Sequence, residues 1–281
     1  MNLEAKAIFT LDVEDWFQVS AFDPFVRRST WDTRESRVVA NTNRIIELLA
    51  QGGHTGTFFV LGWVAERFPG LVRSIVDAGH EIASHGYAHE RVTSLTPEQF
   101  RRDITRAKSV LEDACGQQVR GYRAPSFSLT DAVPWATEIL VETGHTYDSS
   151  RFPIRRSGYG AAGAPRHPHT LNTACGPLLE FPPAVWQFGP LRIPVAGGGW
   201  FRQLPLSVIE IGLQRVLDEG IPAVFYLHPW ELDPGQPVVN VPLLTRVRHY
   251  RGLATAESRL KRLLTRFAFS SIARSGMENS A

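Results

Sequence analysis

Ala7-Ile8-Phe9-Thr10-Leu11-Asp12-Val13-Glu14-Asp15 opens the chain with five apolar or β-branched residues that run straight into three carboxylates. The first half, Ala7–Leu11, reads as a buried strand. The second half is unusual, because three acids within four residues repel one another unless a cation or an arginine compensates. Val13, Trp16 and Phe17 are apolar and argue against a fully solvated loop.

The same grammar recurs downstream. Thr57–Leu61, Glu81–Ser84, Val119–Arg123, Thr146–Asp148 and Ala223–Leu227 read as short strands. Helical patterns over Val38–Ala50, Trp63–Asp77, Thr96–Ala114, Asp131–Thr143 and Leu206–Glu219 lie between them. Thr96-Pro97-Glu98-Gln99 supplies a cap, a proline suited to the first helical position and a capping-box glutamine. Repeated strand–helix units predict an α/β fold built on a parallel sheet or a barrel.

Residues 151–176 lack an apolar period and are rich in Gly, Pro, Arg and His, which predicts a long loop insertion. Leu178–Phe181 and Leu191–Val195 read as strands, and Gly197-Gly198-Gly199 as a turn. An amphipathic C-terminal helix is expected over residues 256–269, followed by a polar, frayed tail from Ser270. Residues 1–281 are expected to form a single domain.

Polar residues follow the strands. Asp12, Glu14 and Asp15 follow the first, His85 and His89 the third, and Arg123, Asp148 and His228 end others. In a parallel barrel such ends share one rim. His85 and His89 are spaced i, i+4, which on a helical turn puts both imidazoles on one face. With a carboxylate they make a facial site with positions open for water and substrate. Zinc suits it, and cobalt or nickel are alternatives. Asp12 then reads as a base and His228 as the donor to a leaving amine. Arg123 can orient Asp12, Asp148 can bond the His228 imidazole, and amides near Ser126 can hold an oxyanion. Trp16, Trp186, Trp200 and Trp230 are candidates for aromatic contact with a substrate, with core packing the competing role. His54, His80 and His145 sit beside glycines and read as helix-end or surface histidines. His167 and His169 read as loop residues, and His249 as packed beside Tyr250.

Other classes recede. A net charge of +2, from 30 basic and 28 acidic residues, asks for no nucleic acid. Cys115 and Cys175 have no metal-binding spacing, and no GxSxG elbow is present. The stretch Met1–Phe9 is short and carries Glu4 and Lys6, unlike a secretory signal. No transmembrane segment is expected, and the expected location is cytoplasmic.

In this order, Thr10-Leu11-Asp12-Val13-Glu14-Asp15, Ser84-His85-Gly86-Tyr87-Ala88-His89, Arg123-Ala124-Pro125-Ser126-Phe127, Tyr147-Asp148-Ser149-Ser150 and Leu227-His228-Pro229-Trp230 resemble the NodB-like polysaccharide deacetylases, carbohydrate esterase family 4. The resemblance implies a distorted (β/α)7 barrel and metal-assisted hydrolysis of N-acetyl groups on a polysaccharide or oligosaccharide. It implies Asp12 as base, His85 and His89 as metal ligands, Arg123 as the clamp on Asp12 and His228 as acid. Asp12–Phe17, Tyr147–Pro153, Gly197–Arg202, Phe225–Glu231 and Arg248-His249-Tyr250 look like the branch tied to exosortase-type exopolysaccharide gene clusters. That likeness implies a polysaccharide or a lipid-linked precursor as substrate, and recruitment to an assembly machinery.

One departure stands out. Many family members have adjacent aspartates, base then ligand, whereas here Val13 follows Asp12. A strand continuing past Asp12 would put Glu14 on its face. A turn would deliver Asp15 instead, and Asp15 has the usual ligand's residue type, which favours it. Two rivals keep the scaffold. One is an amidohydrolase on a small non-sugar amide, which wants a closed pocket rather than an open groove. The other is a non-catalytic glycan-binding protein, against which the complete polar set argues.

Overall fold

In the computed structural model, which describes residues 6–155 and 160–276, β1 (Ala7–Val13) is buried along its whole length. Phe9, Leu11 and Val13 join the large apolar cluster under the helices. Ile8 instead joins Phe59, Ala83, Tyr147, Phe181, Val224 and Ile272 in a smaller one. Alternation along the strand puts Thr10 and Asp12 on the Ile8 side. A strand covered on both faces belongs in a parallel sheet.

The strands that follow are β2 (Thr57–Val60), β3 (Glu81–Ser84), β4 (Gly121–Tyr122), β5 (Tyr147–Asp148), β6 (His169–Thr173), β7 (Gly176–Glu180), β8 (Val185–Phe188), β9 (Leu191–Pro194), β10 (Ala223–Leu227) and β11 (Phe269–Ser270). The main sheet runs β10-β1-β2-β3-β4-β5-β7, all parallel, with β6 antiparallel beyond β7. Past β7, Pro183 bridges Val224 of β10, and the Ala184 N–H donates to the Val224 carbonyl. That contact brings the two edges of the parallel run together and gives the expected distorted barrel. β8 and β9 form a separate hairpin.

The helices are α1 (Val38–Gln51), α2 (Gly62–Arg67), α3 (Pro69–Asp77), α4 (Pro97–Cys115), α5 (Trp135–Glu142), α6 (Gly198–Gln203), α7 (Leu206–Asp218), α8 (Leu243–Tyr250) and α9 (Leu253–Arg266). α4 starts with the expected capping box, Thr96 accepting from the Gln99 amide and Gln99 from the Thr96 amide, worth about 1 kcal/mol. Among the described residues no helix is long and apolar enough to cross a membrane.

Several expectations are corrected. The helix expected over 63–77 is two helices, because Pro69 cannot continue the first one and opens the second. The insertion at 151–176 is not structureless: β6 lies within it, paired to β7, although residues 156–159 fall outside the described set. Gly197–Gly199 is not a plain turn, since α6 starts at Gly198. The C-terminal helix ends at Arg266 rather than 269. The tail beyond it is held as far as Ser275. β11 pairs with β1, and the buried Ile272 donates its N–H to Thr57 Oγ1 at 2.8 Å. The Ala273 N–H bonds Glu81 Oε2 at 2.9 Å. Thr57 and Glu81 begin their strands, so this segment caps the barrel end opposite the strand C-termini. Residues 1–5 and 277–281, the ends of the expected N-terminal stretch and tail, lie outside the described residues.

Candidate metal centre and active site

Register brings the polar strand ends together. Leu11 pairs with Leu227, so Asp12 and His228 are neighbours one residue further along. Ser84 pairs with Tyr122 and Tyr122 with Asp148, which sets His85 beside Arg123 and Arg123 beside Ser149.

Arg123 is fully buried under the site. Its Nη1 donates to Asp12 Oδ1 at 2.6 Å and to Thr10 Oγ1 at 2.8 Å. Its Nε and Nη2 bond the Ser149 carbonyl and hydroxyl, and its plane lies over Phe59. A guanidinium with so many fixed partners holds one carboxylate oxygen rigidly. The other, Asp12 Oδ2, lies 3.8 Å from His228 Nε2.

The ligand atoms of Glu14, His85 and His89 lie within 4.8 Å of one another, and all three residues are buried. His89 Nε2 sits 2.6 Å from Glu14 Oε2. His85 Nδ1 bonds the Arg123 carbonyl at 2.8 Å, which puts the proton on Nδ1 and leaves Nε2 with a lone pair. Burial pushes His85 down to about 4, so the ring is neutral at ordinary pH. Burial alone would raise Glu14, but His89, bonded to it, together with His228 and His85 outweighs burial and holds the carboxyl far below the usual range. Two imidazoles and a carboxylate, converging within one buried cluster, suit a divalent metal.

The histidine pair is not on a helical turn, as the spacing suggests. Residues 85–89 form a loop, with Gly86 at φ 73° and His89 at φ 52°. Asp103 of α4 accepts from the Tyr87 and Ala88 amides, and Arg28 donates to the Ala88 and His89 carbonyls. Asp15, the favoured acidic ligand on residue type, is also corrected. The chain turns after Val13, and the Asp15 carboxylate accepts from Ser36 Oγ at 2.6 Å and from the Arg37 and Val38 amides. It anchors the start of α1 instead.

His228 has a different partner from the one expected. Glu231 Oε2 lies 3.0 Å from His228 Nδ1 and accepts the His228 amide, while Glu231 Oε1 accepts from Arg202 Nε at 2.9 Å. Burial lowers His228, but Glu231, then Glu14 and Asp12, outweigh it and push the imidazole up to about 9. Room for this carboxylate comes from α6: a Cβ on Gly198 would sit 1.5 Å from Glu231 Oε2. The spacing His228-x-x-Glu231 is a capping-box pattern that sequence inspection could have flagged. Asp148 does not reach His228. It is hydrogen-bonded to Ser150 and to Glu180 of β7, its register partner. Burial raises both acids, Glu180 the more strongly with Asp148's charge added, so the pair shares a proton.

Trp230 donates Nε1 to Glu14 Oε1 at 3.1 Å, and its ring is stacked between His228 and His249 at 5.1 and 4.3 Å. Its faces are covered, so it positions a ligand rather than offering a platform to a sugar. Ser126 lines the groove at φ 55° and donates to Ser20 Oγ at 2.6 Å, and that hydroxyl lies 3.5 Å from His89 Nδ1. Trp200 lies elsewhere, in a depression with Pro190 and Leu191. Asp12, Glu14, His85, His89, His228 and Trp230 share one groove of about 470 Å³.

Residues 26–147 match the family model described as polysaccharide deacetylase, and residues 149–276 match one described as a domain of unknown function, DUF3473. Asp12 and Glu14 precede the first match, and His228 and Glu231 fall in the second. The chain is 33% identical over 98 residues to a peptidoglycan-N-acetylglucosamine deacetylase of Bacillus cereus, covering 34% of this chain and 36% of that one. It is 31% identical over 100 residues to a chitooligosaccharide deacetylase of Azorhizobium caulinodans, covering 35% and 45%. The matched stretches thus span less than half of these curated relatives. A solved structure described as a putative polysaccharide deacetylase from Mycobacterium smegmatis aligns over 100% of this chain and 92% of its own, with TM-score 0.65 and 21% identity. That likeness is one of fold. Residues 26–147 carry a polysaccharide deacetylase domain match, on an α/β fold shared with solved members.

Proposed function

We propose that the protein is a metal-dependent deacetylase that removes N-acetyl groups from amino sugars of a polysaccharide or its lipid-linked precursor. In this reading it works in the cytoplasm, within exopolysaccharide synthesis of the exosortase-associated type. One observation carries it: Glu14, His85 and His89 converge beside the Arg123–Asp12 and Glu231–His228 pairs in one groove. The donor set fits zinc, and cobalt or nickel would use the same atoms. A divalent ion held there supplies Lewis acidity toward an amide carbonyl and acidifies water into the neutral range.

The chain's own groups do the rest. Arg123 fixes Asp12 through Oδ1, so Oδ2 is free to take the proton of the attacking water. His228, charged and steadied by Glu231, donates from Nε2 to the departing nitrogen. Trp230 steadies Glu14. Water adds to the carbonyl carbon, the C–N bond breaks, and acetate and a free amine leave.

The test is acetate release from N-acetylglucosamine oligosaccharides by protein loaded with zinc, cobalt or nickel. Release that chelation abolishes and metal restores is expected. Metal-loaded protein inert across a broad glycan panel would contradict the substrate class.

A further inference from the structure

α8 lies at the groove, and only one side of it is used. His249 is buried and stacks on Trp230, while Thr245 and Arg248 line the groove. Residues advance about 100° each around a helix. Leu243, Val247 and Leu244 therefore share the opposite face, and Arg246 and Arg248 flank it on either side. The three apolar residues are 76%, 43% and 61% exposed. Two more exposed apolar side chains border the region. Val238 precedes the helix, and Phe25 follows Phe22, whose ring packs on His249 at 4.5 Å.

The charge carried by the helix and its flanking segments is of one sign, although Asp23 is exposed beside Phe25 at the border. Residues 236–256 contain Arg246, Arg248 and Arg251 and no carboxylate. Among the described residues, none of these three arginines takes part in an ion pair, and all three are exposed. An aliphatic face flanked by unpaired arginines is what inserts at a lipid–water interface, with the apolar side chains among the acyl chains and the cations among headgroups. A second protein surface would want complementary acids at the rim and a broader apolar patch.

We propose that α8 docks the protein on an anionic bilayer surface, with Leu243, Leu244 and Val247 at the level of the acyl chains and the groove mouth at headgroup height. This goes beyond the deacetylase reading and does not depend on it. Docking would hold the groove against substrates tethered to that surface.

The test is co-sedimentation of the full chain with phosphatidylcholine vesicles, with and without phosphatidylglycerol. Expected is binding to the anionic vesicles only, weakened by added salt. The double variant L243E/L244E should bind about tenfold or more weakly. Its thermal unfolding and its acetate release from a soluble oligosaccharide should match the parent, because both side chains face solvent. Three results would overturn the proposal. They are equal binding to neutral and anionic vesicles, undiminished binding by the variant, and a parent dimer that the variant converts to monomer, which would make a second copy the occupant.

Discussion

Glu231 touches Arg202 on one oxygen and His228 on the other, with no part of its carboxylate in water. The imidazole is thereby fixed in orientation and kept charged, as an acid for a leaving amine requires. Glu231→Gln keeps the shape and removes the charge. We expect kcat to fall about 10²-fold with little change in KM. The alkaline limb of the pH–rate profile should also move to lower pH, because His228 loses the partner that raises it. A purely structural role would lower activity without moving that limb. Residue types alone left this contact hidden, because Asp148 also follows a strand and is equally acidic. Only register shows that Asp148 faces Glu180 instead. The choice between Glu14 and Asp15 was open for a similar reason. Spacing offers both, and the turn after Val13 decides, sending Asp15 to the amides of α1.

At the scale of elements, most strands of the parallel run were legible, because they are short apolar runs, most with a polar residue at or just past the end, whereas β6, β8 and β11 were not. Helix ends with strong local chemistry, such as the Thr96 capping box, were legible too. Elements whose shape depends on distant partners were not. The 85–89 loop is held by Asp103 and Arg28, which the spacing of two histidines does not reveal. The glycine-linked histidines misled in the same way. His80 and His145 follow Gly79 and Gly144, each at φ 80°, in two equivalent helix-to-strand connections. A helix-end or surface position was the expectation; both do follow helix ends, yet both rings are buried. Burial holds His80 down to about 4 and His145 to about 3. The His80 Nδ1 also accepts the Gly56 N–H and cannot be protonated without losing that bond. An unfolded histidine titrates near ~6.5, so below that pH the unfolded chain binds protons that the folded one refuses. These two residues therefore favour unfolding progressively as pH falls from about 6.5 toward 4. Each contributes a slope of about 1.4 kcal/mol per pH unit. Urea denaturation across this range should show that slope reduced by about one proton in His80→Gln and in His145→Gln. Unchanged slopes would mean the rings already accept protons in the folded state.

The whole molecule joins what sequence comparison divides. The deacetylase match stops at residue 147, yet β7 and β10 of the following region complete the same sheet, and His228 comes from there. Residues before, within and after that match meet at one rim because parallel strands all end on the same side. The segment around Ile272 closes the other end, a role that its polar neighbours disguised in the sequence. The central claim is that Glu14, His85 and His89 seat one divalent ion beside Asp12 and His228. Anomalous diffraction at the zinc edge from zinc-loaded crystals tests it most directly. Expected is a single strong peak about 2.0–2.2 Å from His85 Nε2, His89 Nε2 and a Glu14 oxygen. A peak on Asp15, or none at the histidine pair, would contradict it.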